Sequence, residues 1–128
     1  MGNCEKNMEI LFSNGTDKLQ ITLPDRTLAA EEWFTAPLAL QVGGLKFCIS
    51  DDFQKEDFEL IFEKLQTLLS CGKTVDFSQL EEVLAFSLTP EDALGHFRIS
   101  IEIRTPETFI KTFFIMSYYD IERMLPRR

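Results

Sequence analysis

The sequence predicts an α+β fold: an antiparallel β-sheet of about six to eight strands, one long helix packed on one face, and a short C-terminal helix. Three observations carry this. Alternating apolar and polar residues flank two turn dipeptides, Asn14-Gly15 and Gly43-Gly44. One stretch, from Phe53 to Lys73, switches to helical spacing. Alternation then resumes without a second long helix, so the βαβαβ rhythm of a parallel sheet is missing. The 128 residues fit a single domain, 1–128, with a core of useful size.

The first strand is "MEILF", with Met8, Ile10 and Phe12 on one side. Asn14-Gly15 supplies the positive φ values of a tight reversal, and "KLQITL" returns with Leu19, Ile21 and Leu23 inward. Pro24-Asp25 closes the hairpin, and a polar stretch leads to Trp33. "LALQV" and "LKFCIS" around Gly43-Gly44 make a second hairpin. In "FQKEDFELIFEKLQTLLSCGK", Phe58, Ile61, Phe62, Leu65, Leu68 and Leu69 fall on one helical face. Asp51 or Asp52 suits the cap. If Gln54 takes that position instead, Phe53 and Phe58 are spaced as a hydrophobic staple. Gly72 ends the helix.

Beyond the helix, "VLAFSL" turns Leu84, Phe86 and Leu88 inward, and "HFRISIEIR" does the same with Phe97, Ile99, Ile101 and Ile103. Thr105-Pro106-Glu107 is a turn. "TFIKTFFIM" is apolar on both faces, which predicts a central strand or one under the helix. The same run suits pairing across a dimer, so the oligomeric state stays open. "SYYDIERML" is a short helix that stops before Pro126 and a basic tail.

Twelve phenylalanines fill the core without disulfides. Cys4, Cys48 and Cys71 have irregular spacing, which predicts free thiols in a reducing cytoplasm. No signal-peptide core or membrane-spanning apolar run is present, and Lys6 stands where a myristoylation pattern wants Ser or Thr. Net charge is −8, and residues 51–92 hold all of that excess, with eleven acids against three bases. Such a field repels nucleic-acid phosphates and anionic lipid and attracts a basic protein partner.

Enzyme chemistry finds little foothold. His96, the only histidine, opens a strand after Gly95 and has no G-x-S-x-G serine or neighbouring cysteine to serve. One histidine and three scattered cysteines do not close a zinc tetrahedron. "SDDFQKED" resembles a calcium loop only in charge, lacking the glycine and the final glutamate. Gly43-Gly44 is a hairpin turn, not a phosphate loop. The sequence therefore assigns no catalytic residue, metal ligand or cofactor.

A binding surface is what the pattern supports. Glu56, Glu59 and Glu63 lie on the outer side of the predicted helix, with Asp57 at its edge. Asp52, Glu81 and Glu82 extend this acidic patch if they fold nearby, as do Glu91 and Asp92.

The order "DFELIFEKLQTLLSCGK", "LEEVLAFSLTP", "LGHFRISIEIR" resembles small bacterial immunity proteins of polymorphic or contact-dependent toxin systems, in particular the kind paired with wall-associated-protein toxins. The likeness covers residues 44 to 125, and Gly95-His96 is its most specific element. Some relatives have a tryptophan in the last strand, where this chain has Phe109, Phe113 and Phe114. The resemblance implies a cytoplasmic, non-catalytic inhibitor of a toxin domain, with a basic nuclease as a fitting target. Its carboxylates would stand in for nucleic-acid phosphates, and His96 would be structural. Two rivals remain from the residues alone. One is a small-ligand module with a pocket lined by phenylalanines and Trp33, and the other is an enzyme using His96.

Overall fold

The computed structural model describes residues 9–22, 33–79 and 83–125. Eight strands and two helices follow in chain order. The first half has β1 (Glu9–Ser13), β2 (Lys18–Thr22), β3 (Trp33–Val42), β4 (Leu45–Gln54) and α1 (Lys55–Cys71). The second has β5 (Val75–Ser78), β6 (Leu84–Pro90), β7 (His96–Arg104), β8 (Phe109–Ser117) and α2 (Tyr118–Glu122).

The strands form two four-stranded antiparallel sheets, β1-β2-β3-β4 and β5-β6-β7-β8, not the single sheet expected from sequence. The reason lies in the helix. Each sheet is a meander in which every strand pairs with the next, and α1 carries the chain from the edge of one to the edge of the other. Their inner faces meet in one core. Phe12 of β1 meets Phe86 of β6 edge to face at 4.8 Å, and Phe86 stacks on Phe77 at 5.1 Å.

Alternation sets the register, as expected. Ile10 pairs with Ile21 and Phe12 with Leu19, and all four are buried. Leu84, Phe86 and Leu88 pair with Ile103, Ile101 and Ile99, again all inward. Gly15 and Gly43 take positive φ in the two hairpin turns. Met8, Leu23, Pro24-Asp25 and the tail from Pro126 lie outside the described residues, as do Cys4 and Lys6.

Helix α1 buries Phe58, Ile61, Leu65 and Leu68. Each such side chain contributes about 1.5–3 kcal/mol relative to exposure. Its start differs from the simplest expectation, because β4 runs without a loop to Gln54 and so keeps Asp51 and Asp52 in the strand. Gln54 is the N-cap, and Phe53 and Phe58 meet at 5.8 Å across it, forming the staple. Gly72 ends the helix in the left-handed conformation, φ 67°, donating its N–H to Leu68 O at 2.9 Å.

Two further differences have clear causes. "VDFS" (β5) is four residues long, too short for its alternation to stand out. β8 is an edge strand, neither central nor under the helix. Its second apolar face is not buried: Phe109 and Phe113 point outward, each beneath an arginine. Arg104 lies 5.1 Å from the Phe109 ring and Arg98 4.6 Å from Phe113.

A buried glutamine ties the two sheets together. Gln79, 1 % exposed, follows β5. Its Nε2 donates to Asp51 Oδ2 at 2.9 Å and to the Asp52 carbonyl, and its Oε1 accepts from Leu84 N at 3.0 Å. The first two partners belong to β4 and the third to β6.

Candidate protein-binding site

Helical spacing and the apolar stripe of α1 together decide which acids face outward. Residues 56, 59 and 63 fall opposite Phe58, Ile61, Leu65 and Leu68, and Glu56, Glu59 and Glu63 are all exposed. Among the described residues none of the three makes an ion pair. Several acids of the second half of the chain are paired. Glu91 pairs with Arg98 at 3.2 Å, and Glu102 with Arg104 at 3.5 Å and Lys111 at 4.0 Å. Asp120 pairs with Arg123 at 3.4 Å. Asp52, Asp76 and Glu107 are likewise exposed and without an ion pair among the described residues, so the helix holds part of the unneutralised charge, not all of it.

Leu60 stands among these acids, 39 % exposed. Glu56 and Glu63 lie one turn to either side of it, with Lys64 beside Glu63. The sequence carried a signal for it: Leu60 falls outside the helix's apolar stripe, so a leucine there has no core to fill.

Asp57 is placed differently from its helical neighbours. It is 6 % exposed and accepts from Gln54 N at 2.7 Å, half of a capping box. Burial pushes its carboxyl up from the usual range, with the Gln54 N–H pulling down and Glu56 adding to the rise. Its side chain faces the helix start, not the edge of the outer surface.

Asp52 is exposed on β4 two residues before the cap, and accepts from Thr35 Oγ1 at 2.8 Å. Glu81 and Glu82 lie outside the described residues. Glu91 and Asp92 do not join the helix acids, since both are used in the loop between β6 and β7. Asp92 accepts from the backbone of Leu94 at 2.9 Å and of His96 at 3.2 Å, and meets His96 Nδ1 at 3.0 Å. Those partners, the Leu94 N–H first, hold its carboxyl below the usual range.

His96 is therefore the first residue of a strand tied into its own turn. Gly95 beside it has φ 91°, and its carbonyl accepts from Tyr118 N at 2.7 Å. Among the described residues no serine, threonine or cysteine side chain bonds the imidazole. No cluster of three or more potential metal ligands occurs among them either. Cys48 and Cys71 are free and exposed. Among the described residues, no helix is long and apolar enough to cross a membrane.

A groove of about 610 Å³ opens on the outer face of the second sheet. Its floor is made by small residues, Ser78, Ala85, Ser87 and Ser100, with Phe113 on its rim and without Trp33.

The model of the immunity protein WapI-like family matches residues 10–125, nearly the whole chain and every element from β1 to α2. The chain belongs to this family. It is thus an immunity protein of a toxin system, and the implied counterpart is a toxin. A comparison with curated proteins finds no match. Two solved structures share the architecture. One, described as crystal structures of Trypanosoma bruciei MRP1/MRP2, is 8% identical and has a TM-score of 0.51, over 92% of this chain and 77% of that one. The other, a guide-RNA-binding protein complex bound to a gRNA, is 10% identical with a TM-score of 0.50, over 91% and 82%. At such identities the likeness is one of fold alone.

Proposed function

We propose that this immunity protein neutralises its toxin without catalysis, by laying the outer face of α1 over a basic active-site surface. Glu56, Glu59 and Glu63 supply the charge that a nuclease toxin would otherwise find in nucleic-acid phosphates. Leu60 supplies the desolvated centre, with Asp52, Glu81 and Glu82 as the expected rim. The observation that carries this is an exposed leucine beside three exposed carboxylates that make no ion pair among the described residues, in a chain of net charge −8. A cytoplasmic setting, where such a toxin would act on its own maker, fits the free thiols.

The test is stopped-flow association with the cognate toxin domain. Glu59→Lys with Glu63→Lys reverses charge at the centre of the face and slows association by about tenfold at low salt, with less difference at high salt. Leu60→Ala speeds dissociation instead. Unchanged rates for all three substitutions would exclude this face as the interface. The ligand-module rival is less favoured, because the described groove is open and lacks Trp33.

A further inference from the structure

We propose that the open edge of β8 is a second docking site, which takes an extended strand of another polypeptide carrying an acidic residue at its centre. Hydrogen bonding sets out the edge. Thr105 N donates to Thr108 O and Tyr118 N to Gly95 O, each at 2.7 Å, at the two ends of the β7–β8 ladder. In an antiparallel pair this directs the backbone groups of the even-numbered β8 residues toward β7. The N–H and C=O groups of Phe109, Lys111, Phe113 and Ile115 then point to the open side. One end of that side is closed, since Asn14 Nδ2 donates to Ile115 O at 3.0 Å and brings the β1–β2 turn against the strand. Among the described residues, none bonds the outward backbone groups from Phe109 to Phe113. The open edge is therefore short and bounded at its Ile115 end, and β3 also approaches β8.

The side chains on this edge are those of an interface. Phe109 is 55 % and Phe113 50 % exposed. Every arginine among the described residues lies over an exposed ring, and two of the three rings are on this edge: Arg104 over Phe109 and Arg98 over Phe113, with Arg123 over Tyr119 of α2 at 5.2 Å. Stacking holds the rings in place and leaves less to order on binding. The groove over Ser78, Ala85, Ser87 and Ser100 lies beside them and has room for side chains that reach past the edge.

Lys111 decides the occupant. It sits midway between the two phenylalanines, exposed, and held only loosely by Glu102 at 4.0 Å. Pairing with a second copy in the register of widest overlap would set this lysine against itself, and like charges directly opposite are unfavourable. An edge lysine is a common guard against such self-pairing. An acidic residue in a foreign strand removes the conflict, with apolar neighbours two positions away covering the phenylalanines. Nucleic acid would leave the outward N–H and C=O ladder unused. This face lies on the far side of the second sheet from α1, so the proposal stands whether or not α1 meets the toxin.

The probe is a blocked peptide, Thr-Val-Phe-Thr-Glu-Thr-Phe-Val-Thr, and a twin with lysine at its centre, each added to the full ¹⁵N-labelled chain. The glutamate peptide should shift the amide resonances of Phe109, Lys111 and Phe113 and slow their hydrogen exchange, leaving Ile110 and Thr112 little changed. It should bind about fivefold more tightly than the lysine twin, and Lys111→Glu should invert that order. The proposal is overturned if neither peptide perturbs these amides or if both bind equally. A dimer closed through β8 in light scattering, or displacement of the peptide by oligouridylate, would equally overturn it in favour of a second copy or a nucleic acid.

Discussion

Replacing Gln79 with leucine removes a buried polar side chain that bridges β4 and β6 while keeping the volume nearly constant. Three hydrogen bonds go with it. The Leu84 N–H is the costliest loss, because it is buried and left without an acceptor, worth about 1–3 kcal/mol. Asp51 and the Asp52 carbonyl lose a donor each, but sit nearer solvent and recover part of the loss from water, at about 1 kcal/mol apiece. Leucine returns about 1 kcal/mol of apolar burial. The balance is a destabilisation of about 2–4 kcal/mol. With unfolding entropy near 2.1 cal/mol/K per residue, a chain of 128 residues loses about 4 °C per kcal/mol, or about 7–15 °C in all. Thermal unfolding followed by circular dichroism measures this directly. A Gln79→Leu melt within about 2 °C of the parent would refute the clamp, since it would mean that water already satisfies these groups. Gln79→Glu sharpens the test. It sets a buried carboxylate against Asp51 and should melt lower than the leucine variant at pH 7. Stability should recover as acid protonates the new side chain.

Asp57 and Gly72 give two further tests. Burial raises the Asp57 carboxyl, so the folded chain holds that proton more tightly than the unfolded chain does. Its contribution to stability is full below the unfolded pKa and declines as pH rises through the folded one. Asp57→Asn keeps an acceptor for Gln54 N–H and removes this penalty, so its urea midpoint at pH 7 should equal or exceed the parent's. Asp57→Ala should lose about 1 kcal/mol with the cap. Gly72→Ala meets no neighbouring atom but must hold φ 67°, and urea titration should show a loss of about 1 kcal/mol from backbone strain alone.

Local chemistry explains what could be read from the chain in advance. Turn glycines, alternation and the staple of Phe53 on Phe58 are set by neighbours within a few residues, so the hairpins and α1 were legible. Pairing between distant segments was not. Nothing in "TFIKTFFIM" distinguishes a strand buried on both faces from an edge whose outer phenylalanines are roofed by Arg98 and Arg104 of the neighbouring β7. The division into two sheets was hidden for a related reason, since α1 joins them with a sequence equally suited to crossing one sheet. At the candidate site, Glu56, Glu59 and Glu63 followed directly from helical periodicity. Asp57 did not, because one carboxylate in that acidic first turn is drawn inward by the Gln54 N–H. Leu60 was visible only as a leucine out of phase.

The serial strand order also bears on how the chain comes to be folded during synthesis. The first meander, through β4, can pair by hairpins alone as it leaves the ribosome. Its inner face, with Ile10, Phe12, Leu19, Ile21, Leu38 and Leu40, nevertheless has nothing to rest on until α1 and the second meander emerge. At about 5–20 residues per second that wait lasts several seconds, with an apolar sheet face bare to the cell. The contacts that end it, Phe12 on Phe86 and the Gln79 clamp, all form after the helix has been made. Mutations that weaken them should therefore reduce the yield of soluble protein at birth as much as the stability of the finished fold.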